Sequence, residues 1–142
     1  MNMRRILLTL LLVTACLHMQ AAMDIDRIFA TYGHSKGCKM VEMHDTKLRG
    51  YRLRTYKSLV YKNIGNEVDK ALAEDKRRAK KIREVVDNGA VVSGYYQMES
   101  SDGKINRYIL FSKGPKGSGT LIYIEGALKP EDIMSMCYSR GR

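Results

Sequence analysis

The sequence predicts an α+β fold, an antiparallel sheet with helices packed mainly on one face, in the order α-β-β-α-β-β-β-α. Three observations carry this expectation. Runs rich in β-branched and aromatic residues at 90–98, 105–112 and 120–125 are separated by Ser100-Ser101-Asp102-Gly103 and by Gly114-Pro115-Lys116-Gly117-Ser118-Gly119, the pattern of a meander joined by turns. Other segments show apolar residues at helical spacing behind capping residues. Finally, 142 residues with 44% hydrophobic and 28% charged side chains and only two prolines suit one globular domain with its own core, not a disordered or Pro-rich chain. Three cysteines are too few for a disulfide-dense scaffold, so the core must hold the fold.

The N-terminus reads as an export signal. Arg4 and Arg5 precede the apolar run Ile6 to Val13, which His18 and Gln20 interrupt before it is long enough to span a membrane. Two exits are open. Val13-Thr14-Ala15-Cys16 places small residues ahead of a cysteine that acylation would make the mature N-terminus, with residues 1–15 as the signal. Ordinary cleavage near Ala21 or Ala22 removes residues 1–22 and leaves the domain at 23–142. The short stretch from Leu17 to Met23 favours the second exit.

Asp24 is positioned to cap a helix carrying Ile25, Ile28, Phe29 and Tyr32 on one face, with Gly33 ending it. Cys38 to Met43 reads as a strand, closed by the polar break His44-Asp45-Thr46. Tyr51 to Asn63 reads as a second. Asn66 opens the longest predicted helix, running to Asp87, where Asn88-Gly89 stops it. The meander follows, and Lys129-Pro130-Glu131-Asp132 opens a last helix, with proline near its first turn and acids at its positive end.

The chain is basic. Removing Arg4 and Arg5 from 25 basic residues leaves 23 against 15 acidic, a formal +8. In an exported protein that charge meets anionic glycans, lipid headgroups and acidic proteins, not nucleic acid. In the predicted long helix the bases are balanced by acids around a stripe of Val68, Leu72, Ala79, Ile82 and Val86, so Lys76 to Lys81 reads as a solvated face. Asp75 falls inside that stripe, with Arg78 as its expected partner one turn on. The excess lies between Lys47 and Lys62, where six bases occur without an acid. Strand periodicity there puts Arg52, Arg54 and Tyr56 on one face, suited to an anionic or sugar ligand or to the guarding of a sheet edge.

The final strands and helix, with Asn106-Arg107-Tyr108-Ile109-Leu110-Phe111 and Thr120-Leu121-Ile122-Tyr123-Ile124-Glu125-Gly126, together with the signal and Ile25-Asp26-Arg27-Ile28-Phe29, resemble a family of small exported Bacteroidetes proteins of unknown function. The resemblance implies no catalytic residues.

Enzyme-like matches lack their context. Ser101-Asp102-Gly103-Lys104 fits Ser-x-x-Lys, but Asp-Gly announces a hairpin, not a helix start. Gly114 to Gly119 lacks the Gly-Lys-Ser/Thr ending of a phosphate loop. His34, Cys38 and His44 have no fixed metal-ligand spacing, and Met40 and Met43 fall on opposite faces of a strand, so neither a metal nor another cofactor is expected.

The functional expectation is therefore an exported, non-enzymatic module that binds or assembles with an envelope protein or an anionic glycan, in the periplasm, at the outer membrane or secreted. A small hydrolase or transferase built on Glu125 and a structural lipoprotein module are the rivals. The meander is expected to put Tyr96, Ile109, Phe111 and Ile122 on one side and Tyr95, Tyr108 and Tyr123 on the other, the latter as the principal interaction surface. Cys38 and Cys137 are candidates for a disulfide.

Overall fold

The computed structural model describes residues 22–100 and 103–138. Helix α1 (Asp24–Tyr32) is followed by β1 (Lys39–Leu48) and β2 (Tyr51–Tyr61), then α2 (Gly65–Lys76). Four strands come next, β3 (Ala79–Asp87), β4 (Ala90–Met98), β5 (Asn106–Lys113) and β6 (Gly119–Gly126), and α3 (Pro130–Tyr138) closes the described chain. The fold is α+β, with a six-stranded antiparallel sheet ordered β1-β2-β6-β5-β4-β3. No helix among the described residues is long and apolar enough to cross a membrane. The signal segment, including Cys16, lies outside the described residues.

Opposed residues in neighbouring strands share a face, so the register assigns two cores. On one face Leu59, Tyr96, Ile109, Phe111, Leu121 and Tyr123 pack under Ile25, Ile28 and Phe29 of α1 and Val68, Ala71 and Leu72 of α2. On the other, Leu53, Tyr95, Tyr108, Leu110 and Ile124 pack under Ile133 and Met136 of α3. Two of the three helices among the described residues thus share a face. The third is held on the opposite one by hydrogen bonds to the Leu128 carbonyl from the Tyr108 hydroxyl at 2.5 Å and the Asn106 side-chain amide at 2.7 Å. The Arg49 guanidinium donates to the Met136 carbonyl at 2.9 Å, a cation near the negative end of α3.

The predicted long helix ends at Lys76, and its second half is β3. Ile82, Val85 and Val86 are β-branched, and Asn88 (φ 49°) with Gly89 (φ 77°) forms a two-residue hairpin turn between Asp87 and its partner Ala90. Both turn residues need positive φ, which Asn-Gly supplies at least cost, so the same dipeptide that ends helices here joins strands. The expected break at His44-Asp45-Thr46 lies inside β1, where Asp45 (φ 48°) and Arg54 are skipped by a ladder that keeps its register from His44–Thr55 to Thr46–Leu53. The bulge is in β2 against β6, where the register shifts between Leu53 and Thr55. Because of this irregularity β2 contributes Leu53 to the α3 core and Leu59 and Tyr61 to the α1/α2 core.

The cap of α1 comes from a distant residue. Asp75 is fully buried near the end of α2, and its carboxylate accepts from the Asp24 amide at 2.8 Å, the Ile25 amide at 2.9 Å and the Arg78 guanidinium at 3.2 Å. The expected Arg78 pair is present, and Asp75 sits in the interior. Two of the orphan donors of an α-helix start are satisfied there. Asp24, expected as the cap, is instead the first helical residue. Desolvation pushes the Asp75 carboxyl above its ordinary value, and the three donors act against that rise.

Asp75→Ala leaves two backbone donors unpaired and is expected to cost about 2–4 kcal/mol by urea denaturation. A group whose folded-state pKa is raised adds stability that is present below its unfolded pKa and disappears as pH climbs through the folded one. Relative to Asp75→Asn, which does not titrate, the wild type should therefore lose stability as pH rises from the acid side, measured as the difference between their unfolding free energies. An increase in that difference over the same range would refute the assignment.

Candidate functional site

Two surfaces stand apart from the cores, one apolar and one charged. The apolar surface arises because α3, at nine residues, is too short to cover its face of the sheet. Past its C-terminal end one row crosses all six strands as Lys39, Val60, Thr120, Ser112, Ser93 and Val85, with Val41, Ser58, Ile122 and Leu110 in the row beside it. Val41, Val60 and Val85 are 45%, 46% and 37% exposed, three of the four large hydrophobic residues exposed among the described ones. A groove of about 240 Å³ runs between this strip and α3, lined by Tyr95, Leu110, Ser112, Thr120, Ile122 and Cys137 among others.

The charged surface is a cleft of about 370 Å³ at the end of the sheet where α1 begins, lined by Met23, Asp26, His44, Lys57, Arg107, Tyr123 and Glu125 among others. Of its two acids, Asp26 and Glu125, the latter stands at the end of the buried strand β6. One carboxylate oxygen accepts from the Tyr123 hydroxyl at 2.5 Å and the other is paired with the Arg54 guanidinium, which the bulge projects from the ladder. Burial and the bond to Glu125 push the Tyr123 hydroxyl well above the usual phenol range. Around the rim, Lys57 lies 3.7 Å from Glu42, which also bonds His44 at 3.1 Å, and Arg107 donates twice to the Glu99 carbonyl, at 3.1 and 2.8 Å. Opposite charges thus alternate around the opening, most of them already engaged with one another.

The tyrosine surface expected from the meander does not form. Tyr95, Tyr108 and Tyr123 are 3%, 0% and 5% exposed. The pairing Tyr96–Ile109–Tyr123 puts Tyr123 on the α1/α2 face, whereas Tyr95 and Tyr108 lie under α3. The parity of β6 is opposite to that expected, and each side of the sheet has its own helix cover. Helices on both faces explain why β4, β5 and β6 carry apolar residues on both sides, whereas β1 and β3, at the sheet edges, are half polar.

Arg52, Arg54 and Tyr56 do not make a cationic stripe either. The bulge turns Tyr56 toward the α3 core, Arg54 is engaged by Glu125, and only Arg52 stands free of both cores and exposed. Nor is β2 an edge strand, because it lies between β1 and β6. Cys38 and Cys137 are both free thiols: Cys38 packs against the α1/α2 core and Cys137 lies beside the α3 groove, so the sheet stands between them.

Sequence reasoning missed the valine strip, because reading 79–87 as helix hid the placement of Val85 opposite Ser93. It also missed a cluster on the α1/α2 face. There the Lys76 ammonium lies 5.1 and 5.0 Å from the Tyr96 and Phe111 ring centroids and 3.6 Å from Glu84, which accepts from the Tyr96 hydroxyl at 2.5 Å. That hydrogen bond, followed by the nearby lysines, holds the Glu84 carboxyl below its ordinary value. The cluster ties β3 to α2, and it becomes visible only once β3 is known to be a strand.

Residues 12–137 match the model of DUF6108, a family of unknown function. The chain belongs to this family. No curated protein and no solved structure matches it. The DUF6108 assignment agrees with an uncharacterised family and adds no chemistry to either surface.

With the sheet separating them, Cys38 and Cys137 of this DUF6108 chain should both react with Ellman's reagent in protein unfolded without reductant. Burial raises the Cys137 thiol pKa, so alkylation of the folded protein at neutral pH should be slower at that site than for a free thiol. Protection of both cysteines after unfolding without reductant would show a bond and contradict the fold.

Proposed function

We propose that this DUF6108 chain is an exported cell-envelope protein that works by assembling with a protein partner, through the bare half of its α3 face. The observation that supports this reading is the strip Val41, Val60 and Val85 beside the apolar groove. Exposed valines beside an apolar groove mark an interaction site, and an open row in which Val60 and Val85 are separated by Thr120, Ser112 and Ser93 suits a protein surface better than a small ligand, which needs concave enclosure. Export is supported by Arg4-Arg5 followed by the apolar run, and by the resemblance to small exported Bacteroidetes proteins.

An anionic glycan is the weaker partner, since Arg54 is engaged by Glu125 and Tyr56 is turned away. A hydrolase or transferase would place its acid–base chemistry on Glu125. Both of that residue's oxygens already have partners, an arrangement that suits joining β2 to β6 more than moving a proton.

The test is a photo-crosslinking amino acid placed at Val60 in cells of the native host, with the exposed Lys36 as the control position. The expected outcome is a discrete adduct from position 60 that is absent from position 36 and falls several-fold when Val41→Glu is added. Identical adducts from both positions, or none from position 60, would overturn the reading.

A further inference from the structure

We propose that two copies of this chain join edge to edge through β3, in a two-fold antiparallel pairing that sets Val85 of each copy opposite Val85 of the other. The surface is the rim of the sheet, not the α3 face assigned above to a protein partner, and neither reading needs the other.

β3 ends the strand order, so no strand among the described residues pairs with its outer edge. A row of unpaired backbone amides and carbonyls is a template for another strand, and folded proteins blunt it with proline, bulges or lysines. The two ends of β3 differ in this respect. At its start Lys80 and Lys81 are exposed, and Ile82 is an extra residue in the strand, because Lys81 pairs with Tyr96 and Arg83 with Tyr95. From Arg83 to Asp87 the strand has neither proline nor a bulge of its own, since the irregularity between Val85 and Val86 is an extra residue in β4, Val92. Here Val85 and Val86 are 37% and 61% exposed, two of the four large hydrophobic residues exposed among the described ones. The opposite edge of the sheet is interrupted instead, by Asp45 at φ 48° within β1, whereas β3 contains no residue of positive φ.

Charge selects the partner and the register. A two-fold axis perpendicular to the sheet keeps each face of one copy level with the same face of the other, so a residue can oppose only one of its own parity. The pairing is then fixed by the residue at the axis. With Val85 there, Arg83 of each copy stands opposite Asp87 of the other on the α3 side, and Glu84 stands opposite Val86 on the α1/α2 side. Arg83 and Asp87 are both exposed, and the symmetry makes their ion pair twice. Centring the pairing on Arg83 or on Glu84 sets like charges face to face at the axis. Centring it on Ile82 opposes Lys81 to Arg83, and on Val86 it leaves Arg83 against the turn at Gly89. Only the Val85 register is complementary to a second copy of the same strand. Main-chain hydrogen bonds along the edge supply the attraction and the charges supply the alignment. The row Ser112, Ser93, Val85 then continues as Val85, Ser93 and Ser112 of the second copy, so the bare part of the α3 face extends across both molecules.

Sedimentation equilibrium of the protein isolated from its native host tests the pairing. The wild type should show a reversible monomer–dimer equilibrium. Arg83→Asp and Asp87→Arg should each raise the dimer Kd about tenfold or more, because either change creates a like-charge pair on both sides of the axis. The two changes move the net charge in opposite directions, so a general charge effect cannot weaken both. The double variant R83D/D87R reverses the pair and should return the Kd to within about threefold of the wild type. A wild-type monomer at roughly 100 μM, about a hundredfold above a micromolar Kd, overturns the proposal. So does a double variant no tighter than the single ones. Val41→Glu, on the far side of the sheet, should leave the dimer intact; a dimer lost in V41E and indifferent to R83D overturns the edge pairing and supports contact through the α3 face.

Discussion

The α1/α2 layer depends on one buried carboxylate. Asp75 reaches across 51 positions of sequence to accept from the Asp24 amide, and from the neighbouring Ile25 amide, so the start of one helix is completed by the end of the other. A carboxyl group in that interior is tolerated because two backbone donors and Arg78 surround it. The docking angle of α1 follows from those bonds, as does the seating of Ile25, Ile28 and Phe29 over Leu59, Leu121 and Tyr123. Apolar packing alone is non-directional and would leave the helix free to slide along the sheet.

What was legible in the sequence was what local chemistry decides. The spacing of Ile25, Ile28, Phe29 and Tyr32 gave α1, Lys129-Pro130-Glu131-Asp132 gave α3, and the turn-rich segments gave the meander. Residues 79–87 failed because Ile82, Val85 and Val86 fit either period and Asn88-Gly89 punctuates both helices and hairpins; pairing with β4 decided the outcome, and that is a tertiary fact. The parity of β6 failed for a related reason, since a register is set by the partner strands on either side. Asp75 did announce itself as a polar residue in an apolar stripe. Its partners, two amides of α1, could not be read from side-chain patterns.

The same limits explain the candidate surfaces. Tyr95, Tyr108 and Tyr123 looked exposed because the central strands β4, β5 and β6 carry apolar residues on both sides and periodicity cannot say which are covered. Bareness depends on where α3 stops, and so the valine strip is defined by helix length more than by the strands that form it. The Arg54 and Glu125 pair was equally hidden, because it needs the bulge that lifts Arg54 out of the ladder and the non-consecutive pairing of β2 with β6.

The position of β6 has a consequence for how the molecule comes into being. It is the last of the described strands, yet it lies in the centre of the sheet, bonded to β2 on one side and β5 on the other. Until residues 119–126 are available, the β1–β2 hairpin and the β3–β4–β5 meander have no strand between them, and each presents an unpaired edge. Neither core closes before that insertion, since Leu121 and Tyr123 belong to one and Ile124 to the other. A chain that emerges gradually from its N-terminus is thus committed to assemble late and all at once, and the period before β6 arrives is when it most needs protection from other chains.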